Sequence, residues 1–131
     1  MAMVDTKYLK YTKSHEWARL DGNTCVVGIT DFAQKEIRDI VYVELPKIGK
    51  EVAQGSQAGM IESVKAAFEF YAPITGKIVA VNDKVAHNVT LVHNDPYGEG
   101  WLFKIETKDT SQLKSLMNEE EYAKMTSEAA H

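Results

Sequence analysis

A lone lysine, Lys65, stands in "IESVKAAFEFYAP" (61–73) among small or apolar neighbours, with Val64 before it, Ala66 and Ala67 after it, and Glu62 close by. Three chemistries suit such an amine. Catalysis as a nucleophile or Schiff base needs a depressed pKa and a pocket. Ion pairing needs a facing carboxylate. Covalent modification needs exposure, rigid presentation and small neighbours. Side-chain alternation helps to separate them. Counting from Met60, one strand face carries Met60, Glu62 and Val64, and the other carries Ile61 and Ser63. Further on, Phe68, Phe70 and Ala72 share a face opposite Ala67, Glu69 and Tyr71. The phase breaks at Lys65-Ala66, so a turn there leaves Lys65 at a hairpin tip. Val-Lys-Ala-Ala contains no Gly, Asn or Pro, so that turn must use ordinary right-handed backbone angles, as in type I. An exposed tip does not desolvate an amine, which favours modification. The ordinary alternative is a solvated loop lysine on an interaction module.

The remaining reactive residues form no obvious set. His15 and Glu16 are adjacent, so they point to opposite faces of a strand. His87, His93 and His131 lack metal-ligand spacing, and with Cys25 they make no zinc or redox set. Cys25 falls in an apolar strand and reads as buried and inert. Trp101 reads as core or rim packing after a tight loop containing Gly98 and Gly100. There is no phosphate-cradling glycine motif and no triad signature. Without an acid–base partner for Lys65, a small hydrolase or aldolase-like enzyme is disfavoured.

The elements that must carry Lys65 are mostly strands. "HEWARLDGNTCVVGIT" reads as a hairpin turning at Asp21-Gly22-Asn23. Asp31 and Gln34 can form a capping box for a short helix over about 31–38. "IVYVELP" reads as a buried strand stopped by Pro46. "KIGKEVAQGSQAGMIESV" reads as turn, short strand, turn, strand. "AFEFYAPITGKIVAVN" reads as two strands joined at Pro73 to Gly76, "HNDPYGEGW" as a loop and "WLFKIET" as a strand. Two helical stretches close the chain, "SQLKSLM" and "EEEYAKM", the second capped by Asn118 with Glu121. "TSEAAH" reads as frayed. "GKEVAQGSQ" (49–57) resembles "NDKVAHNVT" (82–90), with Asn82 and Asn88 where the first has Gly49 and Gly55. Asn is the best replacement for Gly where φ is positive. The similarity predicts two strand–turn–strand units flanking Lys65 in a pseudo-symmetric all-β sandwich or flattened barrel.

Composition sets the frame. The 131 residues suit one domain, and 44% hydrophobic residues suffice for a core. A net charge of −4 gives no basic footprint, which argues against nucleic acid. No stretch approaches a membrane-spanning length. One cysteine allows no intrachain disulfide and fits a reducing compartment. The N-terminal residues carry no signal core, which points to the cytosol, or to a mitochondrial matrix protein whose transit peptide has been removed. No coiled coil is evident, and a monomer is expected.

"GMIESVKAAFEFYAPITGKIVAVN" resembles the lipoyl-attachment region of the glycine cleavage system H protein family. The resemblance covers nearly the whole chain, through SHEW, GITDFAQ, VELP and DPYGEGW in order and at fitting spacing. Biotinyl domains usually flank the lysine with Met; Val64 and Ala66 argue for lipoate. The chain departs from the family pattern at Phe68, Val89 and His93. The resemblance implies a mainly β, lipoyl/biotinyl-type flattened barrel (barrel-sandwich hybrid) over 1–131, with its core at about 8–107 and a helical tail at about 110–125. It implies a carrier and not an enzyme, with lipoic acid joined to Lys65 by an amide. Glu62, Ser63, Val64 and Ala66 would be read by a lipoate ligase or lipoyl transferase. Glu16 and Glu69 would face a cleft that holds the loaded arm. Three enzymes would use that arm. Glycine decarboxylase (P protein) loads an aminomethyl group, a tetrahydrofolate-dependent aminomethyltransferase (T protein) unloads it, and dihydrolipoamide dehydrogenase (L protein) reoxidises the dithiol. A carrier that mainly relays lipoyl groups to other complexes is the alternative.

Overall fold

In the computed structural model, which describes residues 8–129, Asp21 pairs with Thr24 across a tight turn in which Gly22 takes φ 65°. That turn closes β2 (Glu16–Asp21) onto β3 (Thr24–Ile29), the expected hairpin. A two-residue strand, β1 (Lys10–Tyr11), adds to its edge. On the other side of β3 lie β9 (Phe103–Glu106), β8 (Gly76–Val81) and β5 (Glu51–Val52), completing a six-stranded antiparallel sheet. A second sheet has three strands in the order β4 (Ile40–Glu44), β6 (Gln57–Ser63) and β7 (Ala67–Tyr71). The protein is thus mainly β, with nine strands among the described residues, in two sheets that do not close into one hydrogen-bonded barrel.

The inward residues of both sheets share one core. Val27, Ile78 and Ile105 from the large sheet meet Val43, Ile61 and Phe70 from the small one, all nearly or fully buried. Phe70 stacks on Phe103 at 5.8 Å between ring centroids. The alternate residues of the N-terminal hairpin form a second cluster on the far face. There Trp17 and Val26 pack with Leu9, Tyr11 and Tyr122. Trp17 is fully buried and donates from Nε1 to Pro96 O at 2.9 Å. Gly28 permits that ring: a Cβ there would lie 2.6 Å from Trp17 Nε1.

Among the described residues, four α-helices fill the gaps. α1 (Asp31–Ile37) is capped by Thr30, not by the expected Asp31. Thr30 is extended (ψ 165°), and its Oγ1 accepts from Ala33 N at 3.1 Å. Asp31 therefore sits inside the first turn, where its carboxylate takes Gln34 Nε2 and the Lys35 ammonium. Two short helices, α2 (Asp83–His87) and α3 (Thr90–Asn94), occupy the segment that the internal similarity assigns to a strand–turn–strand unit. Gly49 and Gly55 do take positive φ, at 95° and 84°. Asn82 and Asn88 take −91° and −144°, so the resemblance between the two stretches is not structural. "SQLKSLM" forms a 3-10 helix over Thr110–Ser115. α4 (Glu119–Ala129) follows. Its capping box is as expected, with Glu121 N donating to Asn118 Oδ1 and Asn118 N to Glu121 Oε1. The helix runs through Thr126 to Ala129, beyond the point where fraying is expected. Residues 130 and 131, and with them His131, lie outside the described residues.

Candidate functional site

Lys65 is exposed in the turn between β6 and β7, where the broken alternation places it. Ser63 N donates to Ala66 O at 2.8 Å, so Val64 and Lys65 form the tip. Neither takes a positive φ, which agrees with a turn built without glycine. The Ser63 side chain stabilises it. Ser63 Oγ accepts from Ala66 N at 3.1 Å and Lys65 N at 3.3 Å, and donates to Ala66 O at 3.1 Å. Val64 N adds a bond to Asp39 O at 3.2 Å, tying the tip to the start of β4. Asp39 and Arg38 hold positive φ (26° and 55°), a strained backbone that delivers this carbonyl. Lys65 forms no ion pair among the described residues. Glu62 is exposed on β6, opposite Ala67, with Val64 and Ala66 exposed beside the lysine.

Four residues along β7 from Lys65, a cleft of about 290 Å³ opens between β7, α1 and the start of β2. Its walls are apolar, from Ile29, Phe32, Ile61, Phe68 and Phe70, and Glu16, Glu36 and Glu69 supply carboxylates. Phe68 pairs with Ile61 on the inward face and stays 37% exposed because it lines this opening. One of the residues that departs from the family pattern is therefore cleft wall.

Glu16 is 1% exposed, an unusual place for a carboxylate. Its Oε1 accepts from Thr12 Oγ1 and Ser14 Oγ, both at 2.5 Å. Its Oε2 accepts from Tyr71 N at 3.2 Å, a backbone donor that the edge strand β7 would otherwise leave unpaired. The tight turn at 12–15, with His15 at φ 74°, aims the side chain inward. Burial pushes the Glu16 pKa above its ordinary value, and the bonds from Ser14, Thr12 and Tyr71 pull against that. Glu69 is exposed at the rim, and its Oε2 accepts from Tyr71 Oη at 2.8 Å. The fold thus brings Glu16 and Glu69 to one cleft, joined through Tyr71.

His15 also lines the cleft. Burial lowers its pKa, opposed by the nearby Glu36 carboxylate. Its Nδ1 lies 2.8 Å from Tyr122 Oη, which is 2.6 Å from Thr30 Oγ1. Tyr122 stacks on Tyr11 with centroids 4.6 Å apart. Helix α4 is in this way bound to the turn that aims Glu16. Sequence reasoning missed Thr12, Ser14, Glu36, Tyr71 and Tyr122; only the run of polar residues in "YTKSHE" hinted at a built acceptor site. His93, another departure, is structural: its Nδ1 is 2.7 Å from Gln34 Oε1 and its Nε2 accepts from Ile40 N at 3.4 Å. Cys25 is buried, and burial pushes its thiol up to about 12, an inert group. Trp101 is half-buried, with Lys104 Nζ 5.0 Å above its ring. Among the described residues, no cluster of His, Cys, Asp and Glu is arranged to hold a metal, and no helix is long and apolar enough to cross a membrane.

The family model described as glycine cleavage H-protein matches residues 9–129. The chain is 48% identical over 125 residues to the glycine cleavage system H protein of Carboxydothermus hydrogenoformans, covering 95% of this chain and 96% of that protein. It is 52% identical over 114 residues to the corresponding protein of Myxococcus xanthus, covering 87% and 88%. The crystal structure of a glycine cleavage system H protein from Mycobacterium marinum superposes with a TM-score of 0.85 at 32% identity, covering 92% of this chain and 98% of that one.

Proposed function

Since the chain belongs to the glycine cleavage H-protein family, we propose that it is the lipoyl carrier of that system, with lipoic acid joined by an amide to Lys65. The observation that carries this reading is the pairing of an exposed, rigidly held Lys65 with a cleft four residues along the same hairpin. Four residues of strand span about 13 Å. A lysine side chain extended by a lipoyl group is about a dozen bonds long and spans roughly 14 Å. The arm therefore reaches the cleft, whose apolar walls suit its methylenes.

Bound lipoate supplies a disulfide that takes up an aminomethyl group on one sulfur as the pair is reduced. The protein's own residues do the rest. Phe32, Phe68 and Phe70 keep water from the arm. Glu16 and Glu69 receive the protonated amine of the cargo, which gives the desolvated Glu16 carboxylate the cationic partner that it lacks. Glycine decarboxylase would load the carrier, the aminomethyltransferase would unload it to tetrahydrofolate, and dihydrolipoamide dehydrogenase would reoxidise it. Once docked, each meets the arm at high effective concentration. Glu62, Ser63, Val64 and Ala66 would identify the lysine to a lipoate ligase or lipoyl transferase. A carrier that only relayed lipoyl groups would need Lys65 but not the cleft carboxylates, so the cleft favours glycine cleavage.

Peptide mass spectrometry after incubation with lipoate, ATP and a lipoate ligase tests the attachment. One lipoyl group at Lys65 is expected. No adduct there would overturn the reading.

A further inference from the structure

Among the apolar walls of the cleft, Phe68 is the most open to water, at 37% exposed. Ile29 is 3% exposed, and Ile61 and Phe70 are 1%. Position explains the contrast. Phe68 and Phe70 lie on the same face of β7, but Phe70 is two residues further from the hairpin tip and stacks on Phe103. Phe68 has a strand partner, Ile61, on one side only, because β7 is an edge strand, and the cleft parts it from α1. Phe32 lines the same cleft from α1.

The cleft therefore recognises its occupant by two means. The carboxylates of Glu16, Glu36 and Glu69 act on charge, so they distinguish an arm that carries an ammonium from one that does not. The apolar walls act through area, which the cargo does not alter. Ile29, Ile61 and Phe70 are already buried by the fold and gain little when the cleft fills. Phe68 is where filling the cleft removes new apolar surface from water. Its ring also offers sulfur a favourable aromatic contact, open to a dithiol and a dithiolane alike. It lies about 10 Å from Lys65 along the hairpin, inside the roughly 14 Å span of the lipoylated side chain.

We propose that Phe68 makes the cleft hold the bare arm as well as the loaded one, so that the dithiol must leave the cleft before dihydrolipoamide dehydrogenase can oxidise it. The inference rests on Lys65 carrying lipoate and on the cleft receiving the arm. Closing the exposed third of a phenyl ring against methylenes and sulfur favours the docked state on the order of tenfold. That gain is the same for the disulfide, the dithiol and the aminomethyl form, and the carboxylates add to it only for the last. In the oxidation the dithiol gives up two electrons and two protons and its S–S bond forms; the electrons pass to the flavin of the dehydrogenase and on to NAD. The dehydrogenase needs both sulfurs free, so it meets only the undocked fraction, and its apparent affinity is reduced by that fraction. Phe68 is a departure from the family pattern, so the property belongs to this chain's own residue.

The test uses the full chain with its lipoyl group at Lys65 verified by peptide mass spectrometry. It compares the parent with Phe68→Ser, Phe68→Leu and, as a control, Ile48→Ser, whose side chain is exposed outside the cleft. Thermal melts verify that each variant is folded. The arm is reduced, the reductant removed, and alkylation by iodoacetamide followed by mass; Cys25 is buried and does not compete. Only an undocked dithiol reacts, so the rate reads the undocked fraction. The parent should react about tenfold more slowly than free dihydrolipoamide, and Phe68→Ser about fivefold faster than the parent. Phe68→Leu should fall between them, and Ile48→Ser should match the parent. The KM of the dehydrogenase should fall about fivefold for Phe68→Ser with kcat unchanged. In the oxidised parent, nuclear Overhauser contacts should join the methylenes of the arm to the Phe68 ring. A parent arm alkylated as fast as free dihydrolipoamide would overturn the proposal. So would Phe68→Ser reacting at the parent rate, an equal gain in Ile48→Ser, or an unchanged KM. If the parent gains no lipoyl group at Lys65, the carrier reading fails before the comparison begins, and this inference fails with it.

Discussion

Tyr71 bonds both carboxylates of the cleft: its backbone N–H donates to Glu16 Oε2 at 3.2 Å and its hydroxyl to Glu69 Oε2 at 2.8 Å. One residue on the edge of the small sheet thereby fixes the distance between a buried acid and an exposed one. If these acids hold the amine of the loaded arm, the buried one contributes more, because charge-assisted bonds are worth most where water is excluded. Glu16→Gln should shorten the half-life of the loaded arm by about tenfold. Glu69→Gln, at the rim, should shorten it about threefold or less. Time-resolved mass spectrometry of the loaded protein measures both. Unchanged half-lives would remove the two residues from the site.

The raised pKa of Glu16 makes a prediction about stability. A folded-state pKa above the unfolded value means that the folded protein holds this proton more tightly than the unfolded chain does. Its contribution to stability is therefore greatest below the unfolded pKa and falls as pH rises through the folded one. Glu16→Gln does not titrate. The melting temperature of Glu16→Gln minus that of the parent should thus be more positive at pH 7 than at pH 5. A difference that is flat or opposite in sign would mean that the buried carboxylate is fully compensated by Thr12, Ser14 and Tyr71.

Ser63 closes three hydrogen bonds around the lysine tip. Ser63→Ala should cost about 1 kcal/mol by urea denaturation. It should also slow lipoylation, since the lysine would no longer be held in one pose. Ser63→Thr keeps the hydroxyl and should restore most of the rate. Lipoylation of Ser63→Ala at the parent rate would show that the pose of the turn is not what the modifying enzyme reads.

Much of this arrangement was legible in the sequence, and the parts that were not share a physical cause. Asp21-Gly22-Asn23, Lys65 and the Asn118–Glu121 cap are local: each follows from turn chemistry or alternation within a few residues. Glu16 is not local. Nothing in "SHEW" reveals that its carboxylate is buried, because that depends on a donor from Tyr71, 55 residues away. Thr30 displaced Asp31 as the cap of α1 because a buried hydroxyl there also meets Tyr122, 92 residues on. The helices at Asp83–His87 and Thr90–Asn94 are five residues each, too short for a helical period to show. Their likeness to 49–57 misled because Asn tolerates positive φ without requiring it.

Tyr122 connects α4 to the cleft through His15 and Thr30. Tyr122→Phe keeps the stack on Tyr11 and removes only the hydroxyl. Stability should fall by about 1–2 kcal/mol, read as a drop of roughly 3–6 °C in melting temperature. The turn that aims Glu16 should loosen with it, so amide exchange at residues 12–16 should quicken more than in β8. Uniform change across the chain would make Tyr122 a packing residue alone.

The most direct test of the carrier reading is glycine-dependent exchange of labelled CO2 catalysed by glycine decarboxylase, with this protein as the only lipoyl source. Exchange is expected with protein lipoylated at Lys65, and none with the unlipoylated protein or with Lys65→Arg. No exchange from the fully lipoylated protein would contradict it and leave lipoyl relay as the function.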